Sequence, residues 1–468
     1  MPPPFATWSI PEGAPLPLPA AVHLGADADN APGLEVLEVG THWLQELASR
    51  LRGSGEVLRS RPVDDLIETL GRVGSRFLEP GDPLRAQALE ALPSTTGLSP
   101  EMAAAVLDGM AADWTPERLA RTVKADFPDP RVLDGFVPGD RRSLRALGPG
   151  LCFQLVSGSV PGVGATALLR SLLVKAPTLV KPGRGDVVLP VLLARALREE
   201  DPEVGRALAV VYWPGGRQEL EDVALQAADV VTAYGGDANV GTLRRRTPVT
   251  TRFLAYHHRV SVGVVGREGL ADACVHRVVS GVAGAVAFFD QRGCVSPQIV
   301  FVEEGGSVEP WTFAERLAHA LAEVETRLPA GHLDAQEASA LHQARGTAEV
   351  MAASGTGVRV LHGDDATWTV IYDPAGTVEL ACVGRVVRVR PVKDVSEIPV
   401  RLHSLRGHLQ TVAWAGLDER LAPLAEALAR AGATRIAPFD AAPFPPAGWR
   451  HDGRGPLEEL VRWVDLEG

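Results

Sequence analysis

The chain has 468 residues, 46% of them hydrophobic and 22% charged, and carries a formal net charge of −12. That length and balance fit two or three globular domains with a large core, and the acidic surplus excludes nucleic acid as the main partner, because phosphate binding needs a basic face. No apolar run reaches the roughly eighteen residues of a membrane helix, and the start, MPPPFATWSIPEG, lacks the basic opening and apolar core of a secretory signal, so a cytoplasmic protein is expected.

Residues 1–22 are proline-rich and aperiodic, and are expected along a surface or at a sheet edge. Residues 35–146 read as mostly helical. Helix starts stand at Ser99-Pro100-Glu101 and Thr115-Pro116-Glu117, where a capping hydroxyl precedes a proline at the first helical position. Trp114, just before the second cap, is placed to staple that helix.

From residue 151 strands and helices alternate. Strands are expected at Leu151–Val156, Thr178–Val180, Ala207–Trp213 and Asp229–Ala233, with helices at Gly164–Val174, Val187–Arg198, Gln218–Ala227 and Ala238–Arg245. This alternation predicts an α/β fold with a doubly wound parallel sheet. Ligands of such sheets bind at the carboxyl ends of the strands. Those ends carry Ser157-Gly158-Ser159, Lys181-Pro182, Pro214-Gly215-Gly216 and Gly235-Gly236, a cluster of small and cationic residues that suits a dinucleotide.

A second α/β block begins near Ser261. It runs through a helix to Ala287, a polar loop, strands at Ile299–Val302, Gly357–His362, Trp368–Tyr372 and Val386–Pro391, and helices at Trp311–Thr326 and Leu421–Ala431; a last helix is expected at Pro456–Trp463. The domain boundaries read as 1–260 (helical region and dinucleotide domain), 261–434 (catalytic domain) and 435–468 (a segment returning to the cofactor domain or an oligomer interface).

The four cysteines, Cys152, Cys274, Cys294 and Cys382, form no C-x-x-C pair, so neither a zinc site nor a redox dithiol is expected. Three lie in apolar or helical surroundings and read as packing residues. Cys294 sits in Asp290-Gln291-Arg292-Gly293-Cys294-Val295-Ser296-Pro297-Gln298, between an apolar segment and a strand. The polar neighbours cannot all be buried cheaply, so a loop thiol placed as a nucleophile is expected; a small packing residue is the ordinary alternative.

The G-x-G-x-x-G fingerprint is absent, since Gly158, Gly162 and Gly164 have another spacing. No acidic residue ends the second strand to take both ribose hydroxyls. Lys181 stands there with Arg184 three residues on, and cations at that place suit a 2′-phosphate, which favours NADPH. Gly235-Gly236 opens a helix whose free N–H groups suit a pyrophosphate; Gly215-Gly216 is a second candidate. The ordinary alternatives are an exposed lysine and plain strand-to-helix turns.

The combination resembles the aldehyde dehydrogenase superfamily, and within it the LuxC-type fatty acyl-CoA reductases. The stretches that carry the resemblance are LSPEMAAAVLDGMAADWTPERLARTV (98–123), GSVPG (158–162), LVKPGRGD (179–186), VYWPGG (211–216), ADVVTAYGGD (228–237), DQRGCVSPQ (290–298), HLQTVAWAG (408–416) and GWRHDG (448–453). It implies an aldehyde-dehydrogenase-like fold and NADPH-dependent reduction of a long-chain acyl-CoA, or acyl-carrier-protein thioester, to the aldehyde through an acyl-Cys294 intermediate. It also implies a homo-oligomer, and oxyanion donors at the Cys294 N–H and the Ser159 side chain, where the superfamily usually places Asn. Hydrolytic members carry a water-activating Glu before the cysteine, but this chain reads Tyr256-His257-His258-Arg259-Val260-Ser261, which favours thiol transfer over hydrolysis and leaves His257 and His258 as acid–base candidates. The alternatives are a hydrolytic dehydrogenase, a catalytically impaired nucleotide-binding member, and a cysteine acyltransferase or thioesterase.

Overall fold

The structure, a computed structural model, describes residues 4–22, 33–363, 367–374 and 384–467. Cys382 lies outside the described residues. The chain divides into two compact units. The first comprises the chain up to Thr96, Ala103–His257 and the return from Pro446; the second comprises Gly97–Met102 and His258–Pro445.

In the first unit, the amino-terminal strands are β1 (Phe5–Ala6), β2 (Trp8–Ser9), β3 (Pro19–Val22) and β4 (Leu34–Leu37). β1, β4 and β3 make a small sheet of their own, and the proline-rich start does meet a sheet edge through β2. Two strands follow a run of helices, β5 (Val137–Pro138) and β6 (Arg142–Leu147). Next come β7 (Cys152–Leu155), β8 (Thr178–Lys181), β9 (Leu208–Val211), β10 (Val230–Tyr234) and β11 (Arg252–Tyr256), in the sheet order β11-β10-β7-β8-β9-β2. β7 through β11 are parallel, and β2 runs antiparallel on β9. Every residue of β7, β8 and β9 is buried, because the crossover helices Val163–Leu173, Val188–Glu200, Gln218–Ala227 and Asp237–Arg246 cover a parallel sheet on both faces. The chain runs outward from β7 to β9 and then crosses back to β10, so the sheet reverses between β7 and β10, the place where such folds hold ligands.

The second unit has a seven-stranded sheet of β12 (Val260–Val265), β13 (Pro297–Glu303), β14 (Arg359–His362), β15 (Thr369–Tyr372), β16 (Val386–Val392), β17 (Leu409–Ala415) and β18 (Arg435–Pro438), ordered β14-β15-β16-β13-β12-β17-β18. Only β14 is antiparallel to its neighbour. Alternate residues feed two cores: Val300, Val302 and Val389 pack with the helices Val275–Ala287 and Pro310–Arg327, and Val262, Val264, Ile299 and Phe301 pack with Leu424 and Leu428. The segment expected to leave from residue 435 begins with β18, inside this sheet, and the return to the first unit starts at Pro446.

The helix expected at Pro456–Trp463 is not formed. Leu457 and Leu460 are buried, which gave the stretch its helical spacing, but only a short 3-10 turn, Glu458–Leu460, is present. The Asp126 carboxylate takes the Leu457 and Glu458 N–H groups at 2.7 and 2.9 Å. The chain then runs out as β19 (Arg462–Glu467), antiparallel to β6 from Arg462↔Leu147 to Glu467↔Arg142. A partner distant in sequence overrides local helix propensity here. The helix Ala335–Ala353 was also missed. Its signature, the capping box Asp334-x-x-Glu337, is present in the sequence and fully formed.

At the carboxyl end of β13, Glu303 is fully buried, and its oxygens take Arg267 Nη2 at 2.6 Å, Arg267 N–H at 2.9 Å, and Arg420 Nη1 and Nη2 at 2.8 Å. Burial acts to raise this carboxyl, but the bonds from Arg420 and Arg267 outweigh it and bring its pKa down to about 2. Glu303 therefore contributes stability that is complete above the ordinary carboxylate range and is lost as pH falls from there towards about 2. Glu303→Gln is expected to lower unfolding stability by about 3 kcal/mol near neutral pH, since it leaves two guanidinium groups against a neutral amide. Urea unfolding of both proteins through the acid range should show the difference shrinking with falling pH.

Candidate functional site

The first unit brings the expected cofactor residues to the carboxyl edge of its sheet. Lys181 ends β8, 8% exposed, with Nζ 5.7 Å from the centroid of the Tyr212 ring. Burial lowers the pKa of its ammonium group, with Glu221 acting the other way. Arg184 is exposed at the head of a 3-10 turn and opposes the upward shift that burial gives the Tyr212 phenol. Lys181, Arg184 and Tyr212 thus form one group beyond β8 and β9. Gly215 and Gly216 lie in the exposed loop after β9, Gly216 at φ +86°, and a Cβ at either would meet open space.

The turn after β7 explains the missing glycine fingerprint. Asp186 is buried, and its two oxygens take the N–H groups of Gly162 and Gly164, both at 2.6 Å, at the start of the helix Val163–Leu173. Burial pushes this carboxyl up to about 8, with both N–H bonds acting against the shift. The helix end that would cradle a pyrophosphate in an ordinary nucleotide fold already holds a carboxyl of the chain itself. Gly183 and Gly185 serve a close backbone crossing: a Cβ on either would come within 2.2 Å of the Gly158 backbone. Ser159 is exposed at this crossing, its Oγ 2.9 Å from Ser157 Oγ.

The helix Asp237–Arg246 has no such stopper. Gly236 caps it with extended backbone and no side-chain bond, and Gly235 N–H donates to the Tyr256 carbonyl at 3.1 Å. Its first-turn N–H groups, unsatisfied within the helix, lie at the β7/β10 reversal. Asp237, in that first turn, pairs with His257 Nδ1 at 3.5 Å.

In the second unit Cys294 is half-buried and, among the described residues, is in no disulfide. It precedes β13, at the amino edge of that sheet. It is the second residue of a tight turn closed by Ser296 N–H on the Gly293 carbonyl at 3.0 Å. Its own carbonyl accepts Ser261 Oγ at 2.6 Å, and that same oxygen accepts Thr411 N–H at 3.1 Å. Arg435, opposite Thr411 on β18, is buried with Nη1 on the Ala442 carbonyl at 2.8 Å. Burial pulls this guanidinium down to about 10, and the charge of the Cys294 thiolate acts to raise it. The thiol therefore has a cation within electrostatic reach.

The polar neighbours of Cys294 are not exposed, contrary to the expectation that they could not be buried. Asp290 and Gln291 are 2% and 3% exposed. Asp290 takes Arg385 Nε and Nη2 at 3.0 and 2.7 Å; Gln291 gives its amide to the Pro297 and Val386 carbonyls and accepts Val386 N–H at 2.8 Å. Arg292 pairs with Glu337 at 3.0 Å. Burial of Asp290, Gln291 and Arg292 costs little because each has partners, whereas Gln298 Oε1 is buried without one among the described residues. Between residues 256 and 261, Ser261 bonds the Cys294 loop. His258 is exposed, its ring 6.3 Å from that of His408.

Reading the sequence missed Ser261, Arg385, Arg435 and the role of Asp186. None stands in a motif with its partner: Arg435 lies 141 positions after Cys294, and only sheet order brings the two together. A cleft of about 380 Å³, lined by Cys274, Arg277, Trp414 and Phe439, opens at the carboxyl ends of β17 and β18, at the opposite edge of the sheet from the Cys294 loop. Among the described residues, no helix is long and apolar enough to cross a membrane.

Comparison with known proteins agrees with this arrangement. The acyl-CoA reductase (LuxC) family matches residues 58–463. The long-chain acyl-protein thioester reductase 2 of Photobacterium leiognathi is 26% identical over 418 residues, covering 86% of this chain and 82% of that protein. Among solved structures, an NADP dependent enzyme of E. coli superposes with a TM-score of 0.78 at 13% identity, covering 99% and 98% of the two chains. An NADP-dependent glyceraldehyde-3-phosphate dehydrogenase from Bacillus halodurans C-125, complexed with NADP, gives 0.73 at 13% identity, covering 96% of each. The chain thus has the aldehyde dehydrogenase fold, and with the match spanning most of its length it belongs to the acyl-CoA reductase (LuxC) family of oxidoreductases.

Proposed function

We propose that this protein reduces a long-chain acyl thioester, carried on CoA or on an acyl-carrier protein, to the aldehyde through an acyl-Cys294 intermediate, with NADPH as reductant. The observation that carries the reading is the Cys294 turn, held by Ser261 and within the electrostatic influence of the buried cation Arg435, in a chain with no carboxylate from Tyr256 to Ser261. A nearby cation favours the thiolate, the nucleophilic form. The Cys294 thiolate attacks the thioester carbonyl, the carrier thiol leaves with a proton, and the acyl group stays on sulfur as a second thioester. The oxyanion of each tetrahedral species is assigned to the Cys294 N–H and the Ser159 hydroxyl, and proton transfer to His258. When bound, NADPH supplies the hydride that reduces the acyl carbon. Cys294 then leaves as thiolate and the aldehyde is released. Per turnover one thioester is reduced, one NADPH and one proton are consumed, and one free thiol appears.

The cofactor assignment rests on the first unit. Lys181 and Arg184 would meet a 2′-phosphate, and the helix end at Gly235-Gly236 suits the pyrophosphate, while Gly215-Gly216 leave open space after β9. The named relative, a long-chain acyl-protein thioester reductase, supports a protein-bound thioester as acyl donor. A cytoplasmic homo-oligomer is part of the same proposal.

Wild-type protein given a long-chain acyl-CoA and NADPH is expected to oxidise NADPH and release thiol in equal amounts, and Cys294→Ala to lose both by about a thousandfold or more; retained turnover in the variant removes Cys294 from the mechanism. Lys181→Ala is expected to raise KM for NADPH about tenfold with KM for acyl-CoA unchanged, as measured by initial rates with each substrate varied. Arg435→Met is expected to raise the pKa of Cys294, since it removes a charge that favours the thiolate; the pH dependence of iodoacetamide alkylation reads it.

A further inference from the structure

Three consecutive residues just before the nucleophile turn, Phe289, Asp290 and Gln291, hold left-handed backbone, at φ +59°, +48° and +63°. None is glycine, and each pays a steric penalty in that region. Such a stretch persists only where its surroundings over-determine it. Only Arg292 and Gly293 separate it from Cys294, so its direction decides where the thiol points.

The surroundings converge on one side chain. Asp290 Oδ1 takes Arg385 Nε and Nη2, Oδ2 takes Gly331 N–H at 3.0 Å, and the Asp290 carbonyl takes Gly384 N–H at 3.3 Å. Arg385, 1% exposed and itself at φ +56°, is fixed further by Glu325 at 2.7 Å and the Leu328 carbonyl at 2.9 Å. The Asp290 carboxylate is thereby tied to the turn before β16, to the loop holding Gly331 and, through Arg385, to the end of the helix Pro310–Arg327. A buried ion pair contributes little stability compared with apolar packing of the same volume. Its presence at a strained stretch is accounted for by the single conformation it imposes.

We infer that Asp290 and Arg385 are positioning residues for Cys294: their buried pair locks the left-handed stretch 289–291 and so aims the thiol at the acyl carbonyl. The inference rests on the reading of Cys294 as nucleophile. With the pair broken, the stretch relaxes towards ordinary backbone, Cys294 is displaced from its Ser261 anchor, and the acylation step slows while the cofactor side of the protein is untouched.

The test uses full-length protein and four variants: Asp290→Asn, Arg385→Lys, the double change Asp290→Gly with Arg385→Met, and Cys294→Ala. Asparagine tolerates left-handed backbone, Arg385→Lys keeps the charge but loses the two-pronged contact, and the double change removes both charges of the pair together, relieves the strain at position 290 and leaves the partly exposed Glu325 to solvent. Single-turnover acylation by a long-chain acyl-CoA, KM for NADPH, the Cys294 pKa from iodoacetamide alkylation, and Tm are measured on each. The expected result, for the variants that fold, is a fall of about tenfold or more in the acylation rate constant, with KM for NADPH and the thiol pKa unchanged. Wild-type acylation per folded molecule in any of them, or a failure of all the pair variants to fold, overturns the positioning role and leaves the pair purely structural. Turnover retained by Cys294→Ala overturns the nucleophile reading instead, and is seen independently of the pair.

Discussion

The Asp290 carboxylate, buried and held by two bonds from Arg385 and one from Gly331 N–H, is the interaction on which the backbone before Cys294 depends. It holds in place a backbone that three non-glycine residues would otherwise leave. The turn closed by Ser296 and the Ser261 bond to the Cys294 carbonyl follow that stretch directly in the chain. A nucleophile needs a fixed direction more than a high affinity for its neighbours, and a fully satisfied buried polar group provides direction because it tolerates few alternatives.

The first unit uses a buried carboxylate for a different end. Asp186 occupies the helix end nearest β7 by taking two N–H groups for itself. In an open nucleotide fold that position receives phosphate. Filling it with a carboxyl leaves the helix beginning at Asp237 as the open end at the sheet reversal, and explains why the turn does not have the usual glycine spacing. Gly183 and Gly185 are accounted for by the same turn, through their contact with the Gly158 backbone rather than with a ligand. The cations Lys181 and Arg184 flank this crossing, so one local packing arrangement presents the residues suited to a 2′-phosphate.

Much of the architecture was legible because it follows local rules. The strand–helix alternation from residue 151, the glycine-rich strand ends and the proline-marked caps at Ser99 and Thr115 each follow from short stretches of chain, and the elements formed lie within a few residues of those expected. The helix Ala335–Ala353 was overlooked although its capping box was present in the sequence. The carboxyl-terminal strand β19 is of another kind: its apolar spacing is helical, and only pairing with β6 and the hold of Asp126 on Leu457 and Glu458 make it extended. The polar loop was misjudged for a related reason. Asp290, Gln291 and Arg292 look too costly to bury until Arg385, Val386 and Glu337 are seen to satisfy them, and those partners lie 95, 95 and 45 positions away.

By itself the sequence determined the α/β class, the cysteine that stands apart from the other three, the cations that end the second strand of the cofactor sheet, and the resemblance to one family, since each is a property of neighbouring residues. The tertiary structure alone decided what surrounds the thiol. Strand order brings Ser261, itself bonded by Thr411 N–H, to the Cys294 carbonyl, and a buried guanidinium holds the backbone before it. The physical reason is that the energy of a charge or of a strained turn depends on which groups are within a few ångströms of it, and in this chain those groups come from segments far apart in sequence.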